Sequence, residues 1–163
     1  MTRVAVISDT HLPRGGRELP EECLRLLRGA DLILHGGDFV SSAVLEELRA
    51  LGPPVEAVYG NMDEPALKEA LPHERVVEVG EARIGMVHIA GPRLGREARL
   101  AARFEDCDAV VYGHTHVPQV ERFQHLWVLN PGSPTERRSA PVRAMLVLNV
   151  RGNRLTPQLV TLP

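Results

Sequence analysis

The chain has 163 residues, 44% hydrophobic and 25% charged, proportions that suit a folded domain with a sizeable core and exclude a disordered one. The formal net charge is −2 and aromatics make up only 4%, so the basic, aromatic-interleaved surface of a nucleic-acid binder is not expected. No apolar run approaches the roughly 20 residues of a membrane helix. The N-terminus enters directly into Val4-Ala5-Val6-Ile7 without a signal-peptide pattern. The expectation is a soluble, cytoplasmic protein with no membrane partner. Cys23 and Cys107 fall in neither a CxxC nor a zinc spacing and are expected as two buried thiols.

In chain order, 3–7 is a continuous apolar run fit for a buried strand, ending at Ser8-Asp9-Thr10-His11. Pro20 opens a helix with Cys23, Leu24 and Leu27 on one face, and Gly29 closes it. A second buried strand over 31–34 runs into His35-Gly36-Gly37-Asp38. Ser41 caps a helix whose Val44, Leu45, Leu48 and Leu51 follow helical spacing, and Gly52-Pro53-Pro54 stops it. A third strand over 55–59 ends at Gly60-Asn61-Met62-Asp63. This alternation predicts parallel strands with helical crossovers.

The second half is richer in strands. Segments 75–79 and 83–89 flank Gly80-Glu81-Ala82 as a hairpin, 94–104 reads as a helix, and 109–112, 126–129, 143–150 and 155–160 read as strands. No repeat or linker divides the chain, so one domain over 1–163 is expected, with two facing sheets and helices outside.

Nearly every residue able to bind a metal follows the C-terminal end of a predicted strand, the edge where loops converge and ligands bind in α/β sheets. Asp9 and His11, two apart, would point to one side of an extended segment. Gly37 lets the backbone turn at Asp38, whose carboxylate can bridge two ions. Asn61 offers a neutral amide oxygen, His88 ends its strand, and His114 and His116 share a turn after Gly113. Mixed imidazole and carboxylate ligation suits Mn, Fe, Co, Ni or Zn better than Ca or Mg.

Taken singly, a DxH or HxH pair is a weak signal. The ordered series D-x-H, G-D, G-N, H, G-H-x-H from Ser8 to His116 resembles the calcineurin-like metallophosphoesterase superfamily. The stretches Ser8-Asp9-Thr10-His11, His35-Gly36-Gly37-Asp38, Gly60-Asn61-Met62-Asp63 and Asn130-Pro131-Gly132-Ser133 narrow the resemblance. They are similar to the small bacterial and archaeal phosphodiesterase branch, which also includes the trafficking scaffold vacuolar sorting protein 29. The resemblance implies a four-layer α/β/β/α sandwich and two divalent ions, with Mn favoured over Ni, Fe, Co or Zn. By the same resemblance, Asp9, His11 and His116 hold one ion, Asn61, His88 and His114 the other, and Asp38 bridges them. Asp38, Asn61 and His114 are then also the catalytic residues. The implied reaction is hydrolysis of a phosphodiester by a metal-bridging hydroxide, in a centre whose small net positive charge suits a monoanionic substrate.

Two positions depart from the superfamily pattern. Met62 stands where many members carry a histidine beside the Gly-Asn pair, and Ala90 stands where relatives often carry a further histidine after His88. His35 and Asp63 are expected to orient the ligands from behind, and His73 and His125 to lie on the surface. Asn130 and Ser133 lie in a Pro/Gly turn that would steady the site. Arg14 and Arg93, with Arg96, lie in glycine-containing loops from which a guanidinium could reach a small phosphorylated substrate. Exposed strand edges point to a homo-oligomer. The alternatives are a metal-binding, non-catalytic protein-interaction scaffold, and a nuclease acting on polynucleotides.

Overall fold

The computed structural model describes residues 1–163. Strands β1 (Thr2–Ile7), β2 (Leu32–His35) and β3 (Val55–Ala57) alternate with helices α1 (Glu21–Arg28) and α2 (Ser42–Arg49). Helix α3 (Pro65–Ala70) follows, then the hairpin β4 (Glu74–Val79) and β5 (Ala82–Val87). Helix α4 (Arg96–Arg103), β6 (Ala109–Val111), β7 (Gln119–Phe123), β8 (Leu126–Asn130), β9 (Arg143–Arg151) and β10 (Arg154–Leu162) complete the chain.

One sheet has the order β10-β9-β1-β2-β3 and the other β4-β5-β6-β8-β7. The first three strands are mutually parallel, as their helical crossovers require, with Val6 beside Leu34 and Leu34 beside Glu56. In the second sheet β5, β6 and β8 are parallel and the two edge strands are antiparallel.

Alternation along the strands separates three apolar layers. Val4, Val6, Leu34, Ile84, Met86, Val111, Leu129, Leu146 and Leu148 fill the space between the sheets. The intervening Ala5, Ile7, Ile33 and Met145 face α1, α2 and α3 through Cys23, Leu27, Val44, Leu48 and Leu67. On the far side Val87, Val110 and Val128 pack on Leu100 and Phe104 of α4 and its end. Strands buried on both faces therefore read as unbroken apolar runs, and the four-layer α/β/β/α sandwich is the observed architecture.

Local chemistry sets the boundaries. Pro20 precedes α1 and Gly29 ends it, while the Ser41 side chain accepts a hydrogen bond from the Ala43 N–H at the start of α2. Both cysteines are free and buried, and burial pushes the Cys23 thiol up to about 12. No helix is long and apolar enough to cross a membrane.

Candidate metal centre

The loops leaving β1, β2, β3, β5, β6 and β8 converge at one edge of the sandwich, and they carry all seven predicted ligands. Asp9 Oδ1 lies 3.7 Å from His11 Nε2 and 3.4 Å from His116 Nε2. Asp38 Oδ2 lies 3.5 Å from His11 Nε2 and 3.2 Å from His88 Nε2, so one carboxylate oxygen stands between the two histidines. Asn61 Oδ1 is 3.1 Å from both His88 Nε2 and His114 Nδ1. Two triads of potential ligand atoms result, Asp9-His11-His116 and Asp38-His88-His114, with Asn61 against the second. The two imidazoles of the Gly113–His116 turn thus diverge, one to each triad.

The first triad is buried without partners for its inner atoms. Asp9 Oδ1, both ring nitrogens of His11 and His116 Nε2 make no hydrogen bond. The Glu136 carbonyl, 3.1 Å from His116 Nδ1, can only accept, so that nitrogen donates and the ring's unpartnered Nε2 faces Asp9. Gly36 O, 2.7 Å from His88 Nδ1, likewise fixes the His88 ring so that Nε2 faces Asp38 and Asn61. Lone pairs facing lone pairs in a buried pocket are costly unless a cation lies between them. The donor set therefore fits divalent ions, and the outward N–H bonds to carbonyls are the outer contacts that fix a metal-binding imidazole.

Electrostatics agree. Burial alone would raise the Asp9 carboxyl, but His11, His116 and His88 outweigh it and hold it well below the usual carboxylate range. Burial would lower His88, yet the Asp38 and Asp9 carboxylates raise it instead. Burial lowers His114, and the charges of His88 and Arg138 add to that shift.

Backbone geometry is concentrated here as well. Eight non-glycine residues have positive φ, and five of them are Asp9, His11, Asp38, His114 and His116. Left-handed backbone at non-glycine residues costs on the order of 1 kcal/mol or more each and persists only where surrounding contacts enforce it. Asp9 and His11, at φ 56° and 45°, therefore do not lie in an extended segment, and their side chains converge through a turn. Gly60 is needed for close approach, because a Cβ there would collide with the Asp38 carboxylate.

The supporting residues explain how the strain is held. Asp63 accepts from the N–H groups of Asp38 at 3.0 Å, Gly60 at 2.7 Å and Val40 at 2.7 Å, which couples the Asp38 and Asn61 loops. His35 is fully buried, accepts from the Gly37 N–H at Nδ1 and reaches Thr10 Oγ1 at 3.1 Å. Burial drives its pKa down to about 3, so it stays neutral. Asn130 donates to Gly113 O and Thr115 Oγ1, bracing the turn that carries His114 and His116. Ser133 Oγ donates to Asp9 O at 2.7 Å, and Thr135 Oγ1 donates to Thr10 O at 2.6 Å.

Thr135 and the Glu136 carbonyl carried no sequence signal, because their partners lie 125 and 20 residues away. Thr135→Val keeps the side-chain volume but leaves the buried Thr10 carbonyl without this donor. It is expected to cost roughly 1–3 kcal/mol of stability, read from urea denaturation midpoints at constant m-value.

The arginines are placed less centrally. Arg14 lies in an exposed 3-10 turn, Arg14–Gly16, and Arg93 in the exposed loop after His88. Neither side chain bonds to the seven ligands. Arg96, the first residue of α4, is already engaged, donating to Gly91 O and to Tyr112 Oη after β6. Arg138, which the sequence did not single out, is the arginine whose charge acts on His114.

Residues 2–153 match the calcineurin-like phosphoesterase superfamily domain. The chain belongs to that superfamily. It is 36% identical over 159 residues to a probable metallophosphoesterase of Methanothermobacter thermautotrophicus, covering 96% of this chain and 91% of that protein. Among solved structures it resembles Vps29 of Chaetomium thermophilum, with a TM-score of 0.80 at 22% identity over 99% and 98% of the two chains. It also resembles a protein of Thermotoga maritima, with a TM-score of 0.77 at 32% identity over 99% and 100%. The Vps29 likeness speaks for the fold alone. The family and the archaeal relative support metal-dependent hydrolysis of phosphoric esters, and two groups of residues at the sheet edge could hold metal ions.

Proposed function

We propose that the chain, as one domain over 1–163, is a dinuclear phosphodiesterase. The observation that carries this reading is the position of Asp38 Oδ2 between His11 and His88, joining a triad of unpartnered buried ligand atoms to a second triad that reaches solvent only at His114. Asp9, His11 and His116 would hold one ion, Asn61, His88 and His114 the other, and Asp38 both. Two ions so held would supply Lewis acidity and a nucleophile from water near neutral pH. Asp9 is fully buried, whereas Asn61 and His114 are exposed, so substrate meets the centre from the His114 side. Two carboxylates among the ligands leave little surplus positive charge, which favours a singly charged diester over a dianionic monoester.

A chelator is expected to abolish hydrolysis of an aryl phosphodiester, with Mn restoring it better than Mg, which prefers all-oxygen sites and retains its waters. Turnover surviving complete metal removal would eliminate the mechanism, and restoration by Mg alone would overturn the choice of ion. The second reading, a metal-binding scaffold, draws on the Vps29-like fold. It predicts that metal binds fully while no phosphoric ester is turned over.

A further inference from the structure

A cleft of about 460 Å³ opens beside the candidate metal centre. Thr115, between His114 and His116, forms part of its wall, and Arg93, from the loop after His88, forms another part. The cleft is therefore bounded by two of the loops that carry the ligands. The larger cavity, about 600 Å³, lies in the α1 and α2 layer, where Leu24, Leu48 and Leu51 join Arg17, Glu18 and Glu47; like the smaller cleft, it includes none of the seven ligands.

The lining of the smaller cleft has a definite chemistry. Tyr112 Oη donates to Gln119 Oε1 and accepts from Arg96. Gln119 Nε2 donates to Glu97 Oε1 at 2.9 Å and Glu121 Oε2 at 3.0 Å, so the amide is held by three partners. Glu121 keeps its second oxygen free, and the exposed Arg93 guanidinium has no hydrogen-bond or ion-pair partner. Two arginines and two glutamates leave the lining with no net charge.

We propose that this cleft receives one ester arm of the substrate and selects a polyhydroxylated alcohol of the sugar or ribose type. The proposal rests on the phosphodiesterase reading and names the substrate class for it. An aryl or acyl arm would cover Arg93 and the free oxygen of Glu121 without offering either a partner, which disfavours it. A second phosphate would meet Glu97 and Glu121 as like charges with only Arg93 to offset them, because Arg96 is already held by Gly91 O and Tyr112 Oη. Hydroxyl groups suit both kinds of partner, donating to the Glu121 carboxylate and accepting from the Arg93 guanidinium.

The test uses two diesters with the same 4-nitrophenolate leaving group, one retaining methanol and one retaining a methyl riboside through its 5-hydroxyl. With the Mn-loaded protein, kcat/KM is expected to be roughly tenfold higher for the riboside ester, mainly through KM. Arg93→Ala and Glu121→Ala, both at exposed positions, should each bring the two substrates close to parity. Calorimetric binding of the unreactive dialkyl diester, methyl riboside 5-(methyl phosphate), reads the cleft without turnover. Its affinity should fall roughly tenfold in each variant. Unchanged affinity in both variants, or a riboside preference that survives both, overturns the proposal. If neither nitrophenyl diester is hydrolysed, the phosphodiesterase reading fails, and the calorimetry still decides whether the cleft binds a polyol.

Discussion

Asp38→Asn is expected to remove most turnover and one or both tightly bound ions, a loss larger than the roughly 10–100-fold that follows removal of an outer partner of a metal ligand. The substitution keeps the shape of the side chain. The amide oxygen can still accept the Met62 N–H that Asp38 Oδ1 accepts at 2.8 Å, and the backbone N–H of residue 38 keeps its bond to Asp63. What disappears is the negative charge facing His11 and His88. A loss of activity with an unchanged unfolding transition therefore reports on charge at the bridge. His88→Ala gives the contrast, because His88 lies with Asp38 and His114 and not in the Asp9 triad. It should loosen one ion and leave the other bound. Metal analysis of both variants after gel filtration decides between the outcomes. Two tightly held ions and near-normal turnover in Asp38→Asn would show that the bridge is misassigned.

Much of this site was legible because β1, β2, β5 and β6 are buried runs that stop abruptly at polar residues. Burial on both faces makes the runs continuous, and the convergence of parallel strand ends makes the stops coincide in space. The sandwich follows from the same pattern. Short or exposed elements were harder to read. Helix α3 has six residues starting at Pro65, too few to show a periodicity, and edge strand β7, Gln-Val-Glu-Arg-Phe, is half-exposed. Turn geometry was misread at Asp9 and His11, because left-handed backbone at an acid or a histidine is enforced by distant contacts. The hydroxyls of Ser133 and Thr135 supply two of those contacts from more than a hundred residues away. Local sequence holds no record of them.

Hydrolysis is expected to depend steeply on the leaving group, with aryl phosphodiesters cleaved roughly 10²–10⁴-fold faster than alkyl ones, the range a positioned general acid usually supplies. The reason lies beside Asn61. Met62 is 43% exposed at the mouth of the site, so it does not pack the loop as a core residue, and its thioether cannot deliver a proton. Asp63, the next carboxyl along the chain, has both oxygens occupied by three backbone N–H groups and is 5% exposed. A phenolate can depart unprotonated, whereas an alkoxide cannot do so readily. Met62→His would place an imidazole beside Asn61 and should flatten the dependence on leaving-group pKa, raising alkyl rates most. The measurement is kcat/KM across diesters of graded leaving-group pKa, for wild type and variant at equal metal content. A flat series in the wild-type protein would mean that a proton donor is already present. The residue then implicated is His114, the exposed imidazole 3.1 Å from Asn61 Oδ1, which would have to leave the ligand set to serve as the acid.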